Sequence, residues 1–324
     1  MSDARFAHAI NRSLDDAMAR DAKVILLGED IANAGGSFAV TRGLLTKYGP
    51  DRVIDMPIAE NAIAGMAVGL AVGGFRPVIE IMFMDFMTLT MDAVVNQAAK
   101  LHFMFGGQGS VPMVVRTQHG GGVNAGPQHS QCLEAWFAHV PGLKVVVPAT
   151  LDDAYALLRS AIDDPNPVIF VENKALYPMK GVLSDAPVPV PLGQARIARA
   201  GRDVTIVSYG AMVHKVIAAA QTLASQGIEA EVIDLRTIQP WDEATVLASL
   251  SRTHRLVVAH EAVEAFGVGA EIAARMAQIG FDELDGPIMR VGGAFMPVPF
   301  GRTLEVDYMP GEAQVIAAVR GTYG

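Results

Sequence analysis

The 324-residue chain is predicted to be an α/β protein made of two doubly wound domains. Three observations carry that prediction. Short apolar segments alternate with helical patterns, and the segments are apolar on both faces, as in a parallel sheet covered by helices on each side. The alternation stops at a proline-rich stretch and then starts again.

The opening SDARFAHAINRSLDDAMARD has the charge and spacing of an amphipathic helix. Six strand candidates follow, namely KVILLGED, RVIDMPI, PVIEIMF, SVPMVVRT, LKVVVPA and PVIFVEN. Helical patterns such as MDAVVNQAAKLHFMF, SQCLEAWFAHV and LDDAYALLRSAIDD lie between them. From Gly181, GVLSDAPVPVPLGQ reads as an extended linker, because alternating prolines can join neither a helix nor a central strand. A second series runs from DVTIVSYG through EAEVIDLR and RLVVAHE to PIMRVGG, with a helical pattern after each of the first three. The domains are accordingly residues 1–185 and 186–324.

The stretch from Arg52 to Phe83 reads as strand, acidic turn, small-residue helix and strand, a parallel βαβ unit with Glu60 where the first strand hands over to the helix. Asn61 to Gly73 carries almost no bulky polar residue, so the helix is expected to be buried on most sides. Glu60 has two readings. It complements the helix dipole, worth about 0.3–1 kcal/mol, or it is a poorly solvated carboxylate awaiting a specific partner.

Composition narrows the classes. A hydrophobic share of 51% and a charged share of 18% exclude a disordered chain. The net charge of −9 and the lack of a basic block argue against nucleic acid or an anionic membrane surface as partner. One cysteine, Cys132, excludes an internal disulfide and a multi-thiolate metal site and fits a reducing cytoplasm. The N-terminus resembles neither a signal peptide nor a transit sequence, and the longest apolar run is too short to span a bilayer.

In an open parallel sheet, ligands collect beyond the carboxyl ends of the strands. That places Gly28, Glu29 and Asp30, then Glu60, Asp85 and Phe86, the loop from Gln118 to His129, and Glu172 and Asn173 on one edge. The loop QHGGGVNAGPQHSQ is glycine-rich but lacks the spacing and following helix of a dinucleotide fingerprint, so it is expected to be a mobile loop. His129 is expected at the start of a helix led by Ser130, where a neutral imidazole can donate to a developing anion. Cys132 is placed on the same helix face, but without an orienting acid it reads as packing rather than as a nucleophile. HEAVE at His260 lacks the second histidine of a zinc protease motif. Neither a Walker loop nor a GDG motif with an Asn-rich segment occurs, so any cofactor diphosphate must be bound by another chain.

LLGEDIANAGGSFAVTRGLLTKYGPDRVIDMPIAENAIAGMAVGLA resembles the beta subunit of the thiamine-diphosphate-dependent first component of 2-oxoacid and acetoin dehydrogenase complexes. The resemblance continues through VVNQAAKL, GGQGSVPMVVRT, GPQHSQCLEAWFAHVPGLKVVVPAT, DPNPVIFVENKALY, DLRTIQPWD and PVPF, essentially the whole chain. It implies a pyrimidine-binding, transketolase-like domain followed by a transketolase C-terminal-type domain. It also implies an α2β2 heterotetramer and transfer of an acyl group to a lipoyl arm on an acyltransferase core. Glu60 matches the acid that bonds the cofactor's aminopyrimidine ring, His129 the histidine that meets the substrate, Phe86 an aromatic beside the cofactor and Glu29 an acid in a tunnel between paired sites. The alpha subunit is implied to hold the diphosphate and Mg²⁺. Some members bind potassium at positions matching Met113, Ala161, Ile162, Asp164 and Asn166. MFGGQGSVPMVVRT and LYPMKG look closer to acetoin-type members, QHSQC and the GED strand also like pyruvate-type ones, and Gln128 departs from the branched-chain pattern. Half of a split transketolase acting on sugar phosphates, or a non-catalytic scaffold, are the alternatives.

Overall fold

The computed structural model describes residues 2–185 and 187–324. Residue 1 and residue 186, at which the two domains are expected to begin, lie outside them. The strands are β1 (Ser2–Arg5), β2 (Val24–Gly28), β3 (Val53–Asp55), β4 (Arg76–Ile81), β5 (Val114–His119), β6 (Lys144–Val146) and β7 (Val168–Asn173). They continue as β8 (Lys180–Leu183), β9 (Arg196–Arg199), β10 (Val204–Ser208), β11 (Ala230–Asp234), β12 (Thr237–Gln239), β13 (Leu256–Val263) and β14 (Met289–Gly293).

All six strand candidates of the first half form one sheet, in the order β12-β6-β7-β5-β4-β2-β3. Every pairing among those six is parallel, and β2, β5 and β7 are buried along their whole length, starting in Val, Ile and Leu and, in β5 and β7, ending in buried polar residues. The second sheet, β14-β13-β10-β11-β9, is parallel except for its antiparallel edge β9. Strand β12 leaves the second half and closes the edge of the first sheet against β6. One hydrophobic core runs through both halves, holding Ile79 and Val115 together with Val207, Ile233 and Val258.

Several expectations are corrected. The first four described residues are a strand rather than helix, and the helix itself is Phe6–Arg20. β1 pairs with β8, so the start of the presumed linker is part of a two-stranded ribbon; the prolines lie beyond it. The pattern from Met91 is a π-helical stretch, Asp92–Ala98, running into an α-helix at Ala99. The helix Glu60–Val72 buries only one side, through Ile63, Ala64, Ala67, Val68 and Ala71. Its other side, with Ala62, Gly65, Met66, Gly69 and Val72, is exposed. No helix among the described residues is long and apolar enough to cross a membrane.

Candidate active site

The parallel sheet delivers Glu29, just past β2, and Glu60, the first residue of its helix, to the same edge. Glu60 is 7% exposed and Glu29 8% exposed. Burial raises the Glu29 carboxyl above the usual range, and the neighbouring Glu60 and Asp30 push it further. One Glu29 oxygen, Oε1, is buried with no partner. Glu60 likewise makes no side-chain hydrogen bond or ion pair with any described residue. Two adjacent buried acids without a hydrogen-bond partner are costly in a finished structure, so the pair calls for a polar partner from outside the chain. Glu29→Gln tests the strain. The native state holds the Glu29 proton more tightly than the unfolded chain, so stability falls as pH rises through the raised value. The variant is expected to unfold at a higher temperature than the parent at neutral pH, and equally near pH 4, by calorimetry.

An aromatic cluster stands on the same edge. His129 meets Phe83 edge to face at 4.9 Å and Phe86 at 5.4 Å, and Phe83 and Phe86 meet at 5.9 Å. Phe83 has φ of 68°, a left-handed conformation unfavourable for a bulky residue, held in place as its N–H donates to Gln118 Oε1 at 3.0 Å. The stretch Met84–Thr90, carrying Phe86, packs against the helix Glu60–Val72 and joins the aromatic cluster to the acid pair.

The expected helix at Ser130 is absent. The helix starts at Glu134, so neither His129 nor Cys132 sits on it and the helix-end argument for His129 falls. Other contacts hold the segment instead. The Lys174 ammonium donates to the His129 carbonyl and lies 5.2 Å over the Phe83 ring. Burial lowers the Lys174 pKa, and Asp85 opposes the shift. Asp85 Oδ1 accepts from the Gln131 side chain at 2.9 Å. Lys174 was missed in the sequence; its place directly after β7, beside Glu172 and Asn173, was the available signal.

The glycine-rich loop is not free either. Glu261 Oε1 accepts from the Gly121 N–H at 2.6 Å, and the two oxygens of Glu305 accept from the N–H groups of Gly122 at 2.9 Å and Asn124 at 3.0 Å. Glycine is required where the loop meets the second half: a β-carbon at Gly126 would lie 2.1 Å from the Phe300 ring. Amides that could cradle a phosphate are therefore already occupied by carboxylates of the same chain.

Beneath the edge, each face of β5 carries a buried polar cluster. On one, Arg116 is clamped by Glu172 at 2.7 and 2.8 Å and by Glu80 at 2.6 Å, all three buried. Burial disfavours its charge, but the two carboxylates outweigh that and hold the guanidinium protonated. On the other, His119 Nδ1 meets Glu134 Oε2 at 3.2 Å, and Tyr209 donates to Glu134 Oε1 at 2.9 Å. His119, Cys132 and Glu134 offer donor atoms within 4.8 Å of one another. Burial, with Glu134 close by, pushes the Cys132 thiol well above its ordinary range, which agrees with a packing role rather than a nucleophile.

The proposed potassium positions gather at the turn between the helix Leu151–Asp163 and β7. That turn is rich in oxygen, but the Met113, Ala161 and Ile162 carbonyls already accept from Val168 N–H at 3.0 Å, Asp164 N–H at 3.3 Å and Arg76 at 2.9 Å. Asp164 accepts from the Asn166 N–H at 2.9 Å and is paired with Lys144.

Residues 3–180 match the family described as transketolase, pyrimidine binding domain, and residues 193–315 match transketolase, C-terminal domain. A beta subunit of acetoin:2,6-dichlorophenolindophenol oxidoreductase from Cupriavidus necator is 47% identical, covering 97% of this chain and 96% of its own. The chain belongs to the family of beta subunits of pyruvate and acetoin dehydrogenase E1 components. The pyruvate dehydrogenase E1 beta subunit of Drosophila melanogaster is 44% identical to this beta-type chain, with 98% and 88% covered. A split-gene transketolase described as an inactive beta4 tetramer shares its fold, with TM-score 0.82 at 24% identity over 98% of this chain and 97% of that one. The family implies an alpha subunit as partner and thiamine diphosphate as cofactor.

Proposed function

We propose that this E1 beta-type chain supplies the pyrimidine side of a thiamine diphosphate site, completed in an α2β2 heterotetramer by an alpha subunit that holds the diphosphate and Mg²⁺. The complex would cleave a 2-oxoacid or acetoin and pass the acyl group to a lipoyl arm of an acyltransferase core. The single observation that carries this is Glu60, a buried acid with no partner among the described residues, beside the equally unmatched Glu29. Such a pair fits an aminopyrimidine, whose ring nitrogen would accept from the protonated Glu60 carboxyl and, once it has taken that proton, donate back to the carboxylate; when bound, the cofactor supplies the nucleophilic carbon that attacks the substrate carbonyl. Glu60 would hold and move a proton at that ring nitrogen. Phe86 would line the cofactor, and His129, fixed by Phe83, Phe86 and Lys174, would present its ring to the substrate oxygen. Glu29 would keep a second exchangeable proton near Glu60.

The exposed small-residue side of the helix Glu60–Val72 supports a partner that approaches closely. A cytoplasmic location and a potassium ion on the turn at Asp164 belong to the same proposal; exchanging potassium for choline at constant ionic strength lowers the thermal midpoint if the ion is there. The split-transketolase alternative has a shared fold and the transketolase domain families in its favour, whereas the full-length relatives above are named as subunits of an acetoin oxidoreductase and of pyruvate dehydrogenase.

Reconstitution with an alpha subunit and a lipoyl acceptor tests the proposal: turnover of acetoin or pyruvate that needs both chains is expected, and turnover of a ketose phosphate without a lipoyl acceptor would overturn it. In the same assay His129→Ala is expected to lose about 10²-fold in turnover. Its thermal midpoint should stay close to the parent's, because the half-buried ring makes no hydrogen bond with a described residue.

A further inference from the structure

We infer that Glu305, with Glu261 beside it, is a positioning residue for the reaction: the second half of the chain grips the glycine-rich loop through its backbone and thereby sets the place of His129. The inference rests on the proposed role of His129. Glu305 is 2% exposed and lies in the helix Arg302–Tyr308, far along the chain from the loop. Its two carboxylate oxygens each take one loop amide, Gly122 at 2.9 Å and Asn124 at 3.0 Å. Glu261 takes the preceding amide, Gly121, and is itself held by the Asn173 side chain at 2.8 Å. Three neighbouring loop N–H groups thus point at two acids of another domain.

The backbone conformation fits that use. Gly120 at φ 91°, Gly122 at 87°, Asn124 at 57° and Gly126 at 76° alternate in the left-handed region, which turns successive N–H groups toward one side and forms an anion-binding concavity. The bonds run from backbone amides to carboxylate oxygens of two buried side chains. The chain then passes Gly126, seated against Phe300, and reaches His129 three residues later, whose N–H contacts the Gly126 carbonyl at 3.4 Å. Remove the Glu305 carboxylate and the Gly122 and Asn124 amides lose their acceptors, so that the loop is tied to the second half only through Glu261 at Gly121 and Phe300 at Gly126, and the stretch leading to His129 is held less closely.

Glu305→Ala in the chain assembled with its alpha subunit tests this. Misplacing a substrate-facing group by about 1 Å costs up to about 10²-fold, so a loss of about 10- to 100-fold in turnover is expected. Hydrogen exchange of the peptide containing residues 121–126 should quicken while the sheet strands stay protected. Because the vacated concavity is built for a carboxylate, added acetate should restore part of the activity of the variant and none of the parent's. Unchanged exchange in the loop, turnover within twofold of the parent, or a loss that acetate leaves untouched would each overturn the inference. Should the alanine variant fail to assemble, Glu305→Gln is read the same way, since its amide keeps an acceptor for only one of the two N–H groups. Loop exchange is readable without thiamine-dependent turnover, so failure of the clamp and failure of the proposed function remain distinguishable.

Discussion

Glu60→Gln is expected to lower turnover of the assembled complex by about 10²–10⁴-fold, the range typical for loss of a positioned proton-transfer group. The substitution keeps the size and shape of the side chain, and Glu60 has no partner to lose among the described residues. Removing one charge from two adjacent buried acids should also relieve Glu29, whose carboxyl is raised by burial and by Glu60. The variant should therefore be as stable as the parent or more so, and this pairing of lost activity with retained stability separates a site acid from a helix cap. A mere cap would show the reverse, a small stability loss of about 0.3–1 kcal/mol with turnover intact.

Arg116→Ala is expected to have the largest effect on stability. Glu80 lies directly across from Arg116 in the β4–β5 register, and Glu172 reaches it from β7. Deleting the guanidinium leaves both carboxylates buried beside each other without a cation, which costs about 3–5 kcal/mol. For a unit of this size that corresponds to a fall in thermal midpoint of about 6–20 °C. Replacing all three residues by apolar ones of similar volume should recover most of the loss, because the unpaired charge, rather than the missing bond, carries the cost. A variant with a single alanine that melts with the parent would show that water or another cation reaches the carboxylates.

The strands were legible because a parallel sheet buried on both faces demands unbroken runs of Val, Ile and Leu, and no other soluble arrangement tolerates them so well. Glu29, Glu60, Phe86 and His129 could be placed on one edge from connectivity alone, since each follows a strand or leads out of the loop after one. What stayed hidden depends on distant partners. The apolar helix Glu60–Val72 shows no polar face, and periodicity cannot distinguish a side covered by its own chain from one left for another. The loop at Gly120 looked mobile because its two anchors, Glu261 and Glu305, lie more than a hundred residues away in an otherwise ordinary charged background. β12 is three residues long and finds its place only because β6 offers an open edge. Helix formation at Ser130 was outweighed by tertiary contacts on the segment before Glu134, from Lys174 to His129 and from Asp85 to Gln131.

The central claim is that Glu60 supplies the proton relay of a thiamine diphosphate site shared with an alpha subunit. Deuterium exchange at C2 of thiamine diphosphate, followed in the assembled complex without substrate, tests it most directly. Rapid exchange with the parent chain and exchange slowed by orders of magnitude with Glu60→Gln is the predicted result; equal rates for the two chains would contradict it.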